Sequence, residues 1–235
     1  MNNEFDLFAK DYRKIHNENL KISGANSNYF TEYKILEVKR SEKGKKIESI
    51  FDFGCGDGTS LVYFRKHFPS ADLCGVDVSL KSIEEANSKN IKNSNIFLIN
   101  NENDLKNLIE DNKFDIIFIS CVFHHIEDEN ILNNILKECF RILKNDGVLY
   151  IFEHNPYNPM TRRIVKDCIF DKGIRLINPK KLKKLVLNNQ FKNSSVNFTL
   201  FFPRFSIFKP FFIFEKFLIK LPIGGQYYIK AKKYE

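Results

Sequence analysis

The sequence predicts an α/β fold in which helices cover both faces of a parallel β-sheet. Between residues 48 and 153, short apolar segments alternate five times with helix-like segments. Such alternation is typical of strand–helix–strand units, whose strands run parallel. The segment 113–123 is a continuous apolar run, as expected for a strand buried on both faces. No internal repeat and no linker rich in Pro, Gly or Ser interrupts the chain, so we expect one domain over residues 1–235.

Local signals define the order of the elements. Pro69 ends the first helix of the core, and Ser79 is a suitable N-cap for the next one. Asn178 and Pro179 give a similar start signal to a later helix. Strands are predicted at 48–53, 72–78, 95–99, 113–123, 147–153, 195–202 and 225–233. Helices are predicted at 59–68, 79–88, 104–110, 131–143 and 178–190, after helical pieces within 4–38.

Positive charge and aromatic residues concentrate near the end of the sequence. The formal net charge is +8, and residues 200–235 hold seven Lys or Arg against two Glu. Nine of the 24 phenylalanines fall between Phe198 and Phe217. The five cysteines show no C-x-x-C spacing, so we predict neither a metal site nor a disulfide framework. The polar opening segment and the lack of a long apolar run favour a cytoplasmic location.

Three glycines at alternate positions, Gly54, Gly56 and Gly58, follow the first strand in the stretch FDFGCGDGTS. A glycine-rich turn between a strand and a helix lets a nucleotide-like ligand approach the backbone. Dinucleotide-binding turns follow G-x-G-x-x-G, whereas here the third glycine comes one position early. Asp77, which ends the second strand, suits the ribose hydroxyls of an adenosine. The residues indicate an adenosine-containing ligand and leave open a nicotinamide-dependent oxidoreductase.

The segment DFGCGDG resembles motif I of the class I S-adenosylmethionine (SAM)-dependent methyltransferases, D/E-x-G-x-G-x-G. FDIIFISCVFHHI and RILKNDGVLYIFE resemble the family's fourth and fifth strands with their turns. Later segments, such as FEHNPYNPMTRR and LPIGGQYY, resemble a bacterial subgroup distantly similar to quinone-biosynthesis methyltransferases. The resemblance implies a three-layer Rossmann-like fold with a seven-stranded, mostly parallel sheet and an antiparallel last strand. It also implies a SAM-binding core over 46–153 and S-adenosylhomocysteine (SAH) as the product.

The same resemblance implies a set of cofactor-binding residues along the ends of the first four strands. Asn101 stands at the position where the family often has an Asp beside the adenine, and Glu102 follows it. The aminoacyl end of the ligand is expected against main-chain amides of the glycine loop. The predicted set is Asp52, Gly54, Cys55, Gly56, Gly58, Asp77, Val78, Asn101, Glu102, Ser120 and Cys121.

Methyl transfer needs donor and acceptor held in line, and a general base when the acceptor must lose a proton. Candidates at the strand ends are His124, His125, Glu153 and His154. If the segment is extended, His124 and His125 point opposite ways and do not both face the substrate. Glu153 is placed to polarise the imidazole of His154, and a structural Glu that pins a loop is an equal alternative. We take His125, Glu153 and His154 as the catalytic candidates.

Two insertions, 154–178 and 203–224, are expected to leave the carboxyl ends of strands five and six, on the cofactor side. There they would meet a helical lid formed by residues 1–45. Lid residues that could contribute are Tyr12, Tyr29, Tyr33 and Lys34.

The second insertion is almost entirely Phe, Ile and Leu, apart from lysines that share one stripe if the segment is helical. Those lysines are Lys209, Lys216 and Lys220. Three outcomes stay open: a lid packed on the domain, a wall for an apolar or lipid-like acceptor, or a membrane contact through 203–221. The last outcome would place the protein at the inner face of the membrane.

The acceptor is expected to be a small molecule, with apolar and lipid-linked compounds included. Amino-methyltransferases that act on bases carry N/D-P-P-Y/F/W after the fourth strand, where this chain has SCVFHH, so the sequence argues against nucleic acid. A non-catalytic membrane- or partner-binding module on the same fold is the remaining alternative. The sequence gives no indication of the oligomeric state.

Overall fold

The structure is a computed structural model, and it describes residues 24–168 and 174–234. Within these residues seven strands form one sheet in the order β3-β2-β1-β4-β5-β7-β6. Strands β1 to β5 pair in parallel, and β7 runs antiparallel to both β5 and β6. The strands are β1 (Ser49–Phe53), β2 (Asp72–Asp77), β3 (Ser94–Leu98), β4 (Phe114–Ser120), β5 (Leu143–His154), β6 (Lys192–Thr199) and β7 (Gln226–Lys232). The predicted mostly parallel sheet with an antiparallel last strand is confirmed.

Helices cover both faces of this sheet, and several start at the predicted caps. The Ser79 hydroxyl accepts the Ser82 amide, and the Asn178 side chain accepts the Lys180 amide. The helices are α1 (Ser27–Ser41), α2 (Thr59–His67), α3 (Leu80–Ser88), α4 (Leu105–Leu108), α5 (Glu129–Ile142), α6 (Pro159–Asp167), α7 (Pro179–Asn188) and α8 (Glu215–Leu218). Short 3-10 helices lie at Glu102–Asp104, Phe123–His125 and Ser206–Phe214.

Alternate residues of the central strands belong to two separate hydrophobic clusters, one on each face of the sheet. Ile117 and Ile119 pack with the buried faces of α5 and α7. Ile116 and Phe118 point to the other face and pack with residues of α1 and α2. Because β4 is covered on both sides, its sequence is apolar at nearly every position, as the continuous run predicts.

The strand order reverses direction between β1 and β4. From β1 the chain moves outward through β2 to β3, and it then returns to build β4 and β5 on the other side. In open α/β sheets, ligands bind in the crevice that such a reversal creates beyond the carboxyl ends of the strands. The turn after β1 and the turn after β4 therefore lie side by side at the predicted site.

The fourth strand is shorter than predicted. It ends at Ser120 because Cys121 adopts a left-handed conformation with φ of 57°, which an extended strand does not continue through. A 3-10 turn, Phe123–His125, follows. The premise of an extended segment through His124 and His125 is therefore wrong, and their rings lie side by side with centroids 4.2 Å apart.

The insertions also differ in detail from the sequence expectation. Residues 154–178 contain α6, which starts with Asn158 as N-cap and Pro159 at the first position, the same signal as at Asn178. The second insertion is a 3-10 helix through Pro210 followed by the short α8, and not one regular helix with a lysine stripe. A proline inside the segment removes a main-chain donor, which disfavours a continuous α-helix.

Both insertions leave the edge of the sheet where β4 and β5 end, as predicted. Residues 155 onward follow β5, and residues 200–225 connect β6, which runs parallel to β5, with β7. No helix within 24–168 or 174–234 is long and apolar enough to cross a membrane.

Candidate functional site

The turn after β1 holds its three glycines in the left-handed region, with φ of 75° at Gly54, 53° at Gly56 and 75° at Gly58. Two of them are required by packing: a Cβ on Gly54 would lie 2.4 Å from Val122 Cγ2, and one on Gly58 would lie 2.9 Å from Ala86 Cβ. A Cβ on Gly56 would meet no atom within 4 Å. Gly56 is therefore the glycine that borders open space, where a ligand can approach the backbone.

Main-chain amides of this loop are occupied by bonds within the protein. The Gly54 and Cys55 amides both donate to the Val76 carbonyl, at 2.8 and 3.0 Å, and the Gly58 amide donates to the Cys55 carbonyl. The Gly56 amide donates to Asp77 at 2.8 Å. The expectation that these amides receive the ligand is therefore corrected: they hold the loop in its conformation, and the space over Gly56 stays open.

Asp77 fixes the loop from the end of β2. Its Oδ2 accepts the Gly56 amide, and its Oδ1 accepts the Ser79 amide at 2.9 Å. Each carboxylate oxygen has a second lone pair, so the same group can also accept two hydroxyls. The neighbouring Val78 side chain is 44% exposed and offers apolar surface beside this carboxylate. Asp77 and Val78 thus form the edge of a surface suited to a nucleoside.

Asp52 lies buried beneath the loop and does not face open space. It accepts a hydrogen bond from the Ser60 hydroxyl in the first turn of α2. Burial raises the pKa of the Asp52 carboxyl to about 7, and the nearby Asp77 charge adds to this, while the Ser60 bond and Lys34 oppose it. Asp52 therefore acts on the site by tying β1 to the start of α2.

The residues after β3 are only partly arranged as predicted. The Asn101 side chain accepts the Asn103 amide and caps a 3-10 turn, with its own side chain exposed at the sheet edge. Glu102 is buried and accepts a hydrogen bond from Asn134 on α5, at 3.1 Å. Of the two, only Asn101 is exposed in the structure.

A buried lysine joins α1 to the end of β4. Lys34 Nζ donates to Ser120 Oγ at 2.7 Å and lies 3.3 Å from Cys121 Sγ. Burial in itself raises the pKa of the Cys121 thiol, but Lys34 and a hydrogen bond from His154 outweigh it and lower the pKa to about 6. The site thus contains a fixed cation beside a thiol that ionises near neutral pH.

Glu153 is fully buried and holds the turn after β4. Its Oε1 accepts the Phe123 amide at 2.9 Å, and its Oε2 lies 2.5 Å from His124 Nδ1. Burial in itself raises the pKa of the Glu153 carboxyl, but His124 outweighs it and the pKa is lowered. The imidazole that this carboxylate binds is therefore His124, and the expected pairing of Glu153 with His154 is wrong. Glu153 instead links β5 to the turn Phe123–His125, which is the structural alternative.

The other two histidines are more accessible than His124. His125 and His154 are half-buried, whereas His124 is buried between them, with its ring centroid 4.2 Å from that of His125 and 5.3 Å from that of His154. The structure brings all three imidazoles together at the ends of β4 and β5.

α1 contacts the second insertion at a buried ion pair that lies within the insertion. Arg204 and Glu215 are bonded at 2.9 Å, with side chains 3% and 9% exposed. Tyr33 donates to Glu215 and accepts from Thr199 at the end of β6, and the Arg204 guanidinium lies 4.9 Å from the Tyr33 ring. A cavity of about 350 Å³ lies between these elements, lined by Tyr29, Tyr33, Glu37, Arg40, Arg204, Phe212, Ile213, Glu215 and Lys216. Tyr12 lies outside the described residues.

Several contacts of the site were missed from sequence. Ser60 and Val122 act only through spatial contact with Asp52 and Gly54, and nothing in the linear sequence marks them. Glu215 carried a usable signal, because it is the one acidic residue in the apolar segment 203–224 and a buried carboxylate there needs a cationic partner such as Arg204. Among the described residues, no group of three or more His, Cys, Asp or Glu is arranged to hold a metal ion.

Comparison with known proteins places this geometry in a protein class. Residues 51–151 match the model of a family described as a methyltransferase domain. A demethylmenaquinone methyltransferase from Thermotoga maritima is 30% identical over 116 residues, which cover 49% of this chain and 47% of that protein. A ribosomal RNA large subunit methyltransferase G from Shewanella pealeana is 28% identical over 133 residues, covering 52% and 32%. The matches thus span half or less of these relatives.

Solved structures share the whole fold at low sequence identity. A SAM-dependent methyltransferase from Archaeoglobus fulgidus superposes with a TM-score of 0.68 at 19% identity, covering 98% of this chain and 100% of that one. Phosphoethanolamine N-methyltransferase 2 from Haemonchus contortus, in complex with SAM, gives 0.65 at 17% identity, covering 98% and 57%.

The strand order, the glycine loop and these matches show that the chain has the fold of the class I SAM-dependent methyltransferases, that residues 51–151 match a methyltransferase domain, and that about half of the chain is distantly similar to a demethylmenaquinone methyltransferase. The cofactor that this class uses is SAM. The open space over Gly56 lies next to the Asp77 carboxylate, a group that can accept the hydroxyls of a nucleoside.

The two roles of glycine in the loop predict opposite consequences for alanine variants. Gly54→Ala should destabilise the fold by roughly 2–4 kcal/mol, from the positive φ and the clash with Val122. Gly56→Ala should cost only about 1–2 kcal/mol, from φ alone, yet weaken SAH binding. Thermal unfolding and calorimetric titration measure the two effects. Equal loss of stability in both variants would contradict the assignment.

Asp52 should make stability depend on pH. Because its carboxyl has a pKa of about 7 when folded, against an ordinary value of 3.8, the folded state holds the proton more tightly. Its stabilising contribution is complete below pH 4 and is lost as pH rises to 7, at about 1.4 kcal/mol per pH unit. The difference in unfolding free energy between wild type and Asp52→Asn should therefore fall by about 4 kcal/mol over this range. A pH-independent difference would show that Asp52 ionises normally.

Proposed function

We propose that this protein transfers the methyl group of SAM to a small-molecule acceptor, with apolar or lipid-linked acceptors included, and that residues 1–235 work as one domain. The observation that carries the proposal is the preformed loop with open space over Gly56, held by the Asp77 carboxylate. When bound, SAM supplies a methyl group activated for in-line displacement by an acceptor atom. The chain itself has to bind SAM and the acceptor, orient them in line, and accept a proton where the acceptor must lose one.

We infer roles in cofactor binding from the chemistry of each group. The Asp77 oxygens can accept the ribose hydroxyls, while Val78 and Asn101 border the adenine. Loop carbonyls suit the ammonium of the aminoacyl end, because the loop amides are already bonded. Lys34 is the buried cation closest to the end of β4 and suits the carboxylate of that end.

We propose that Glu153 is a positioning residue and that His154 accepts the proton from the acceptor, with His125 as second candidate. Glu153 is fully buried and bonded to Phe123 and His124, so it cannot contact an acceptor directly. His154 is half-buried and bonded to Cys121, in the turn that follows β4. The cavity between Tyr33, Arg204 and Phe212 would admit the acceptor, since aromatic walls with a few polar groups suit small organic ligands.

Nucleic acid is the second candidate acceptor, because one matched relative is a ribosomal RNA methyltransferase. The N/D-P-P-Y/F/W pattern does not occur after β4, where the chain turns through Phe123–His125. The partition of transferred label between RNA and small molecules separates the two candidates.

Cofactor binding provides the first test. Calorimetric titration should show saturable binding of SAH and none of NAD(H). Asp77→Ala should weaken SAH binding at least tenfold, because two charge-assisted hydrogen bonds contribute about 1.5–3 kcal/mol each. Asp72→Ala, at the other end of β2, is the matched control and should bind normally. NAD(H) binding without SAH binding would reject the proposal in favour of an oxidoreductase.

Catalysis is tested with methyl-labelled SAM and host extracts. Label should appear in organic-soluble small molecules, and His154→Gln should lower the initial rate about 10²–10⁴-fold if the acceptor must lose a proton. His125→Gln is the paired variant, and SAH affinity of both should stay unchanged. Label in RNA alone would show that the acceptor is nucleic acid and not a small molecule. Full activity of His154→Gln would show that His154 is not the general base. SAH binding with no label transfer would indicate the non-catalytic alternative.

A further inference from the structure

The segment between β6 and β7 exposes large apolar side chains to solvent. Within the 3-10 helix Ser206–Phe214 no residue is buried. Ile207 is 76% exposed and Phe217 is 71% exposed. The apolar patch consists of Phe205, Ile207, Phe211, Ile213, Phe214, Phe217, Leu221 and Ile223, all classed among the exposed large hydrophobic residues. Contiguous apolar surface of this kind is uncommon on a solvated face and indicates a binding surface.

Within the described segment 203–224, the exposed charges of the patch are all positive. Lys209, Lys216 and Lys220 are exposed within it. The sole acidic residue of 203–224 is Glu215, which is buried and paired with Arg204. The outer surface of the segment therefore combines aromatic and aliphatic side chains with uncompensated positive charge, a combination that suits an interface with anionic headgroups above an acyl layer.

This charge distribution distinguishes between two occupants. A second copy of the chain, related by a two-fold axis, would bring the same three lysines of both copies together, and like charges oppose such a contact. An anionic bilayer would instead neutralise Lys209, Lys216 and Lys220 while the apolar side chains enter the acyl boundary.

We propose that the apolar patch docks this protein on the surface of an anionic lipid bilayer. Buried contacts beneath the patch fix the segment on the domain. Glu215 accepts the Phe201 amide and pairs with Arg204. The Arg204 guanidinium lies 4.3 Å from the Phe212 ring. Phe212, Ile213 and Lys216 also line the 350 Å³ cavity, so docking would place that cavity next to the lipid. The docking itself does not depend on the proposed methyl transfer.

Vesicle sedimentation with the full chain tests the docking. The protein should pellet with vesicles of equal parts phosphatidylcholine and phosphatidylglycerol, and much less with pure phosphatidylcholine, and added salt should weaken the binding. Ile207→Ser with Phe217→Ser should lower the partition coefficient at least tenfold, because both side chains lose apolar area buried in the bilayer. Lys209→Gln and Lys216→Gln should each lower it about fivefold.

Matched controls lie on α7, where Leu187 is an exposed apolar residue and Lys184 an exposed cation. Leu187→Ser and Lys184→Gln should leave vesicle binding unchanged. Equal binding to neutral and anionic vesicles, or binding that survives Ile207→Ser with Phe217→Ser, would overturn the proposal. So would a patch-dependent dimer in solution with no vesicle binding. SAH affinity should be normal in every patch variant, and loss of SAH binding in the wild type would count against the proposed function alone.

Discussion

The hydrogen bonds that the Gly56 and Ser79 amides donate to Asp77 are the contacts on which the rest of the site depends. They join the end of β2 to the turn after β1 and to the start of α3. The turn can accept them because its glycines take positive φ, which an L side chain adopts only at a cost. Gly54 and Gly58 are packed closely against Val122 and Ala86, whereas the space over Gly56 is open.

A second set of hydrogen bonds fixes the turn after β4. Glu153 reaches from β5 to the Phe123 amide and to His124, while Lys34 reaches from α1 to Ser120 and Cys121. The reversal of strand order brings both turns together, and Val122 rests on Gly54. The charged residues of this edge thus mostly hold backbone, and the imidazoles of His125 and His154 are half-buried at the same edge.

Much of this arrangement could be predicted because local signals and periodicity determine it. The alternation of strands and helices and the caps at Ser79 and Asn178 follow from patterns along the chain, and the antiparallel direction of β7 follows from the resemblance to the methyltransferase family. Residue roles that depend on contacts between distant segments could not be predicted. Glu153 pairs with His124 and not with its neighbour His154, because Cys121 breaks the strand and turns His124 toward β5. The occupation of the loop amides is likewise visible only in three dimensions.

The sequence leaves the role of the second insertion open, and the burial of its residues in the structure narrows the alternatives. Its composition allows a packed lid, a pocket wall or a membrane contact. In the structure Arg204, Glu215 and Phe212 face α1, while Ile207 and Phe217 face solvent. One segment therefore lines a cavity on its inner side and exposes apolar surface on its outer side.

A crystal structure of the protein with SAH bound tests the central claim most directly. The account predicts electron density for the ligand along the turn after β1, with the ribose hydroxyls within hydrogen-bond distance of the Asp77 oxygens and the chain of the ligand passing over Gly56. Density for the nucleoside elsewhere, for example between Tyr33 and Arg204, with the surface over Gly56 filled by side chains, would contradict it.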